Sequence, residues 1–96
     1  MRIEGMGKPG GCKLIRIQAD IEEGGIKTIR IRGDFFASPE EEFEKVEQRL
    51  AGLSLEEVAH SFDRLLRLAG VEVSGISGDG LASVLFSALK NKEALL

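Results

Sequence analysis

Three consecutive segments decide the fold: Lys13-Leu-Ile-Arg-Ile-Gln-Ala-Asp-Ile-Glu22, then Glu23-Gly24-Gly25, then Ile26-Lys-Thr-Ile-Arg-Ile-Arg-Gly33. The outer two alternate apolar and polar residues with period two, and a glycine-rich break separates them, which predicts a β-hairpin. Chemistry chooses the register. A two-residue loop would set Ala19 opposite Thr28 and Ile17 opposite Arg30. A three-residue loop at 23–25 sets Ile17 opposite Ile31 and Ala19 opposite Ile29, which keeps one face apolar, so this register is preferred. It carries a cost: Arg16 then faces Arg32, with Arg30 opposite Gln18, and like charges across a ladder repel. Something negative must offset this. It is either Asp20, Asp34 or an acidic helix of the chain itself, or an anionic ligand or acidic partner surface.

Outward from the hairpin, Arg2-Ile3-Glu4 reads as a short edge strand. Downstream, Ser38-Pro39-Glu40-Glu41 reads as a helix start, with Ser38 as cap, Pro39 at the first helical position and Glu41 as the capping-box acid. Phe43, Val46 and Leu50 line one face, and Gly52 closes the helix. Ser54 and Glu57 repeat the device ahead of Leu55, Val58, Ala59, Phe62, Leu65, Leu66 and Ala69, with Gly70 as terminator. Residues 71–76 are short and extended. A third helix follows Ser77, with Leu81, Val84, Leu85, Ala88 and Leu89 inward. A hairpin followed by three helices implies an α+β domain, its helices on one face of a small antiparallel sheet, over residues 1–96 as a single unit.

Composition narrows the function classes. The 96 residues are 43% hydrophobic and 30% charged, a globular balance. No run approaches the ~20 apolar residues of a membrane span, and residues 1–11 show no apolar signal core, so a cytoplasmic, membrane-free protein is expected. One cysteine excludes an internal disulfide and a cysteine-built zinc site. With no Trp or Tyr and no long basic stripe, nucleic acid is not an expected partner. Charge is segregated: residues 1–32 hold seven Lys/Arg against four Asp/Glu, and residues 33–63 hold two against nine. The two blocks either pair inside the fold or face a partner of opposite arrangement.

No self-sufficient catalytic set is visible. Gly5-Met6-Gly7-Lys8-Pro9-Gly10-Gly11-Cys12-Lys13 lacks the phosphate-loop spacing and leads into a strand, not a helix. It is either a flexible entry or a loop closing over a partner's active site, with Lys8 and Lys13 as anion contacts. Asp79 would repel an anion from the helix start at Ser77-Gly78-Asp79-Gly80. His60 falls on a polar helix face near Glu56, Glu57 and Asp63 and reads as solvated. Glu40, Glu41, Glu42, Glu56 and Glu57 are explained by helix starts. Cys12 beside Lys13 is either a reactive thiol or an incidental one.

Two clusters carry a family resemblance: Gly10-Gly11-Cys12-Lys13-Leu14-Ile15, and Gly33-Asp34-Phe35-Phe36 followed by Pro39-Glu40-Glu41. With the hairpin and helices, roughly residues 8–90 resemble the accessory domain of lipoate–protein ligase, the C-terminal part of many ligases and a separate small subunit in some archaeal ones. The resemblance implies a fold related to sulfur-transfer and iron–sulfur scaffold proteins. It also implies a large catalytic partner that binds ATP, magnesium and lipoate, this chain binding no cofactor alone. The pair would activate lipoate to lipoyl-adenylate before transfer to a lysine of lipoyl domains, which this chain would meet only indirectly. Cys12 interrupts the family's usual Gly-Lys-Leu, and Gly78-Asp79-Gly80 stands where a Pro or acidic start is commoner. Candidate contacts with partner or substrate are Lys8, Gly10, Gly11, Lys13, Arg16, Arg30, Arg32, Gly33, Asp34, Phe35 and Phe36. In an extended segment Phe35 and Phe36 cannot both point inward. Either one is an exposed anchor or a bulge packs both. The alternative function is a sulfur acceptor of the related fold using Cys12. An iron–sulfur scaffold would need about three cysteines.

Overall fold

The computed structural model describes residues 1–94. Strands β1 (Arg2–Gly7), β2 (Ile15–Glu22) and β3 (Gly25–Gly33) form an antiparallel sheet in that order. A second antiparallel ribbon joins β4 (Phe36–Ser38) to β5 (Glu72–Ser74). Helices α1 (Glu40–Arg49), α2 (Val58–Ala69) and α3 (Gly78–Ala94) complete the α+β fold, with a 3₁₀ turn at Leu55–Glu57 before α2.

The hairpin pairs Ile17 with Ile31, Ala19 with Ile29, Gln18 with Arg30 and Arg16 with Arg32, the register the alternation predicts. Its tip differs. The register shifts after Asp20, so Ile21 meets Ile26 and Glu22 meets Gly25. Only Glu23 and Gly24 remain in the loop, both with positive φ (53° and 76°), as the type I′ turn favoured by strand twist requires. The unpaired Lys27 absorbs the extra residue as a bulge. The long register thus keeps the isoleucines together while the tip takes the tighter turn.

One sheet face is buried: Ile3, Ile15, Ile17, Ala19, Ile21, Ile29 and Ile31 point into the core. Phe43 and Val46 of α1, Phe62 and Leu66 of α2, and Leu81, Val84, Leu85 and Ala88 of α3 fill it from the other side. Phe62 is fully buried, with its ring edge-on to Phe43 at 6.1 Å. The polar sheet face has no helix over it. Among the described residues no helix is long and apolar enough to cross a membrane.

The start of α1 departs from the sequence pattern. Ser38 belongs to β4, paired with Glu72, and Pro39 takes the N-cap position without a side-chain cap. Strand pairing has claimed the residue that the capping motif would use. The helix closes at Leu50, before Gly52. Ser54 does precede a helical turn, but its hydroxyl donates to Glu57 Oε1 at 2.8 Å instead of accepting a backbone N–H. Gly70 ends α2 in the left-handed conformation. Ser77 caps α3, its Oγ accepting Gly80 N–H at 3.0 Å. Leu89 is only partly buried.

Candidate functional site

The two sequence clusters, some twenty residues apart in the chain, meet at one end of the sheet. Gly7, Ile15 and Gly33 are register partners across β1, β2 and β3. Just beyond them, Asp34 N–H donates to Leu14 O at 2.9 Å, and Lys13 N–H donates to Gly75 O at 2.8 Å. Gly33 is needed there. Its φ is 153°, and a Cβ at this position would run into the Leu14 carbonyl. Any side chain would push apart the strands that the Asp34–Leu14 bond closes.

The glycine-rich entry is more ordered than its composition suggests. β1 continues through Gly7, past the predicted end at Glu4. Cys12 N–H then donates to Pro9 O at 2.9 Å and turns the chain into β2. Lys8, Gly10, Gly11 and Lys13 are exposed on this turn. Cys12 is half-buried: its Sγ lies 3.8 Å from Ser77 Oγ, and Gly80 of α3 passes so close that a Cβ there would sit 2.5 Å from the sulfur. A thiol packed under a helix is poorly presented for sulfur transfer.

The aromatic pair divides as extended geometry demands. Phe35 is half-buried, with its ring 5.5 Å from that of Phe43. Phe36, on β4, is 58% exposed. A recess of about 270 Å³, lined by Ile31, Gly33, Phe35, Ala37 and Phe43 with Arg32, Glu40 and Glu44 around it, lies between β3, β4 and α1.

The arginine pair is offset on one side only. Glu47 of α1, buried on the apolar face of the helix, accepts the backbone N–H of Ile31 at 2.7 Å and the Arg32 guanidinium at 3.1 Å with the same oxygen. The acidic helix therefore supplies the compensating charge for Arg32. Glu47 escaped the search for site residues because it sits in a run of helical glutamates. The signal was present: with Phe43, Val46 and Leu50 it occupies the inward stripe, where a carboxylate needs a partner. Arg16 has no carboxylate within ion-pair distance among the described residues. Arg30 lies beside Gln18 on the open face, and His60 is exposed on α2.

The domain is thus a small α+β unit whose two sequence clusters gather at one exposed rim of the sheet. Residues 11–65 match the family model described as bacterial lipoate protein ligase C-terminus, and the chain belongs to this family. Its structure is similar to a chain from a bi-partite archaeal lipoate protein ligase, studied with its E2 lipoyl domain, from Thermoplasma acidophilum. The TM-score is 0.68 at 27% identity, covering 86% of this chain and 92% of that one. No curated protein sequence matches.

Proposed function

We propose that this chain is the accessory subunit of a two-chain lipoate–protein ligase, acting with a large catalytic subunit in the ATP-dependent activation of lipoate to lipoyl-adenylate. The carrying observation is the similarity to a bi-partite ligase chain over nearly the full length of both. ATP, magnesium and lipoate are assigned to the partner: the glycine-rich segment here is a strand and a turn, not the strand–loop–helix that cradles phosphates. Lipoyl-domain proteins are then met through the complex, in the cytoplasm.

The test mixes the chain with the ligase catalytic subunit from the same genome and measures co-elution and lipoyl-adenylate formation. A stable complex with stimulated adenylate formation is expected. Separate elution with no stimulation would remove the assignment. Cys12→Ala distinguishes the sulfur-acceptor alternative, because an accessory subunit should support lipoylation fully after that change.

A further inference from the structure

The open sheet face is ordered into three cross-strand rows. Two of them neutralise themselves. In the row Arg2–Asp20–Thr28, Thr28 Oγ1 donates to Asp20 at 3.4 Å, and in the row Glu4–Gln18–Arg30, Gln18 Nε2 donates to Glu4 at 2.9 Å. The third row, Met6–Arg16–Arg32, contains no acid. Glu47 answers Arg32 from the edge of the sheet, which leaves Arg16 facing another arginine without a carboxylate among the described residues. Beside it, Met6 is 67% exposed, and the turn carrying exposed Lys8 and Lys13 continues from the same end of the sheet.

Arg16 stands at the centre of the row, between Arg32 on β3 and the exposed Met6 on the edge strand β1, and with Lys8 and Lys13 beyond the same end it makes a cationic surface bordered by an apolar knob. The recess on this face, lined by Gln18, Thr28, Arg30 and Arg32, is walled by Glu44 and Glu47 of α1 and does not include Met6 or Arg16. Its carboxylates disfavour an anion, and the Met6–Arg16 end stays outside the concavity that a small-molecule site needs. An open, charged surface with an exposed apolar side chain beside it fits a macromolecular partner. We propose that the Met6–Arg16–Arg32 row is the docking surface for an acidic patch on the catalytic ligase subunit. This deepens the accessory-subunit reading and rests on it. The partner's carboxylates would supply the counter-charge that this chain withholds from Arg16, and Met6 would pack against apolar surface beside them. The row adjoins the Gly7–Ile15–Gly33 end of the sheet, just beyond which Asp34 N–H meets Leu14 O, so a partner seated on it would lie close to the turn at Gly10–Gly11.

The test is titration of the catalytic subunit with wild-type chain, Arg16→Glu, Met6→Ala and, as a control of equal charge change at the hairpin tip, Lys27→Glu. Arg16→Glu should weaken binding about tenfold or more, while its melting temperature holds or rises, because an opposite-charge pair replaces the repulsion with Arg32. Met6→Ala should weaken binding without changing its salt dependence. Lys27→Glu should bind as wild type. Wild-type affinity should fall with added salt, and the Arg16→Glu variant should show a shallower dependence. Arg16→Glu and Met6→Ala binding as tightly as wild type would overturn the docking surface and leave the accessory-subunit reading intact. Failure of the wild-type chain to bind at low salt would instead sink that reading, and this proposal with it.

Discussion

Glu47 shows how much one side chain can decide. Its Oε2 accepts both the Ile31 N–H and the Arg32 guanidinium, tying α1 to an edge of the sheet that would otherwise expose an unpaired donor. The Arg32 side chain is over half exposed, so that ion pair contributes at most about 1 kcal/mol. The Ile31 bond matters more because it is buried. Glu47→Ala should cost about 1–3 kcal/mol, the penalty for a buried N–H left without an acceptor. Glu47→Gln should cost less, since an amide oxygen still accepts it. Urea unfolding of both variants checks the order, and equal losses would show that the charge, not the acceptor, is what counts. Legibility in sequence follows the same logic. The opposition of Arg16 and Arg32 could be read from period two alone. Which acid answered it depends on where α1 crosses the sheet edge, and no local pattern encodes that. Similarly, extended geometry required one of Phe35 and Phe36 to turn outward, but only the tilt against Phe43 selects Phe36.

At the scale of elements, long periodic segments are legible in full and short ones in part: Arg2–Glu4 and residues 71–76 read as extended, as β1 and β5 are, but β4 and its pairing with β5 do not show. The hairpin, α2 and α3 announce themselves because eight or more residues repeat one period. β4 and β5 have three residues each, too few to show a period, and they exist because each supplies the other's backbone partners. Their pairing is what drew Ser38 out of the predicted cap. The inward face of α3 is legible, but the close approaches that seat it are not: Gly78 packs against the Ala59 carbonyl, Gly5 against Ala88, and Gly80 against Cys12 Sγ and Ile15 Cδ1. Alanine in a helix is intrinsically better than glycine by roughly 1 kcal/mol, yet here its methyl would overlap the sulfur. Gly80→Ala should therefore destabilise the wild-type chain by about 1–3 kcal/mol, as overpacking does. In a Cys12→Ala background the overlap disappears and the same substitution should become neutral or stabilising. Thermal melts of the four proteins in a double-mutant cycle would show this change of sign. Additive effects would mean that the helix can shift away from the sulfur.

Across the whole molecule, charge stays divided between the helices and the open sheet face. The acidic block that follows the hairpin lies mainly in α1 and the turn before α2, while the arginines of the hairpin stand on the open sheet face. A single ion pair, Arg32–Glu47, joins the two blocks among the described residues. The segregation seen in the sequence therefore survives folding in part, and leaves an excess of positive charge at the Arg16 end of the open face. The proposed accessory role is one of positioning, and positioning alone is worth a great deal: a misplacement of about 1 Å can cost about 100-fold in rate. If its task is activation, the two half-reactions should separate. Leaving the chain out should lower lipoyl-adenylate formation by the catalytic subunit by about 100-fold. Transfer from pre-formed lipoyl-adenylate to a lipoyl domain should proceed at nearly its full rate. Supplying synthetic adenylate, with and without this chain, measures the second step directly. Equal loss in both steps would mean that the chain holds the catalytic subunit together instead of organising one reaction, and the Arg16→Glu variant should then fail in both steps as well.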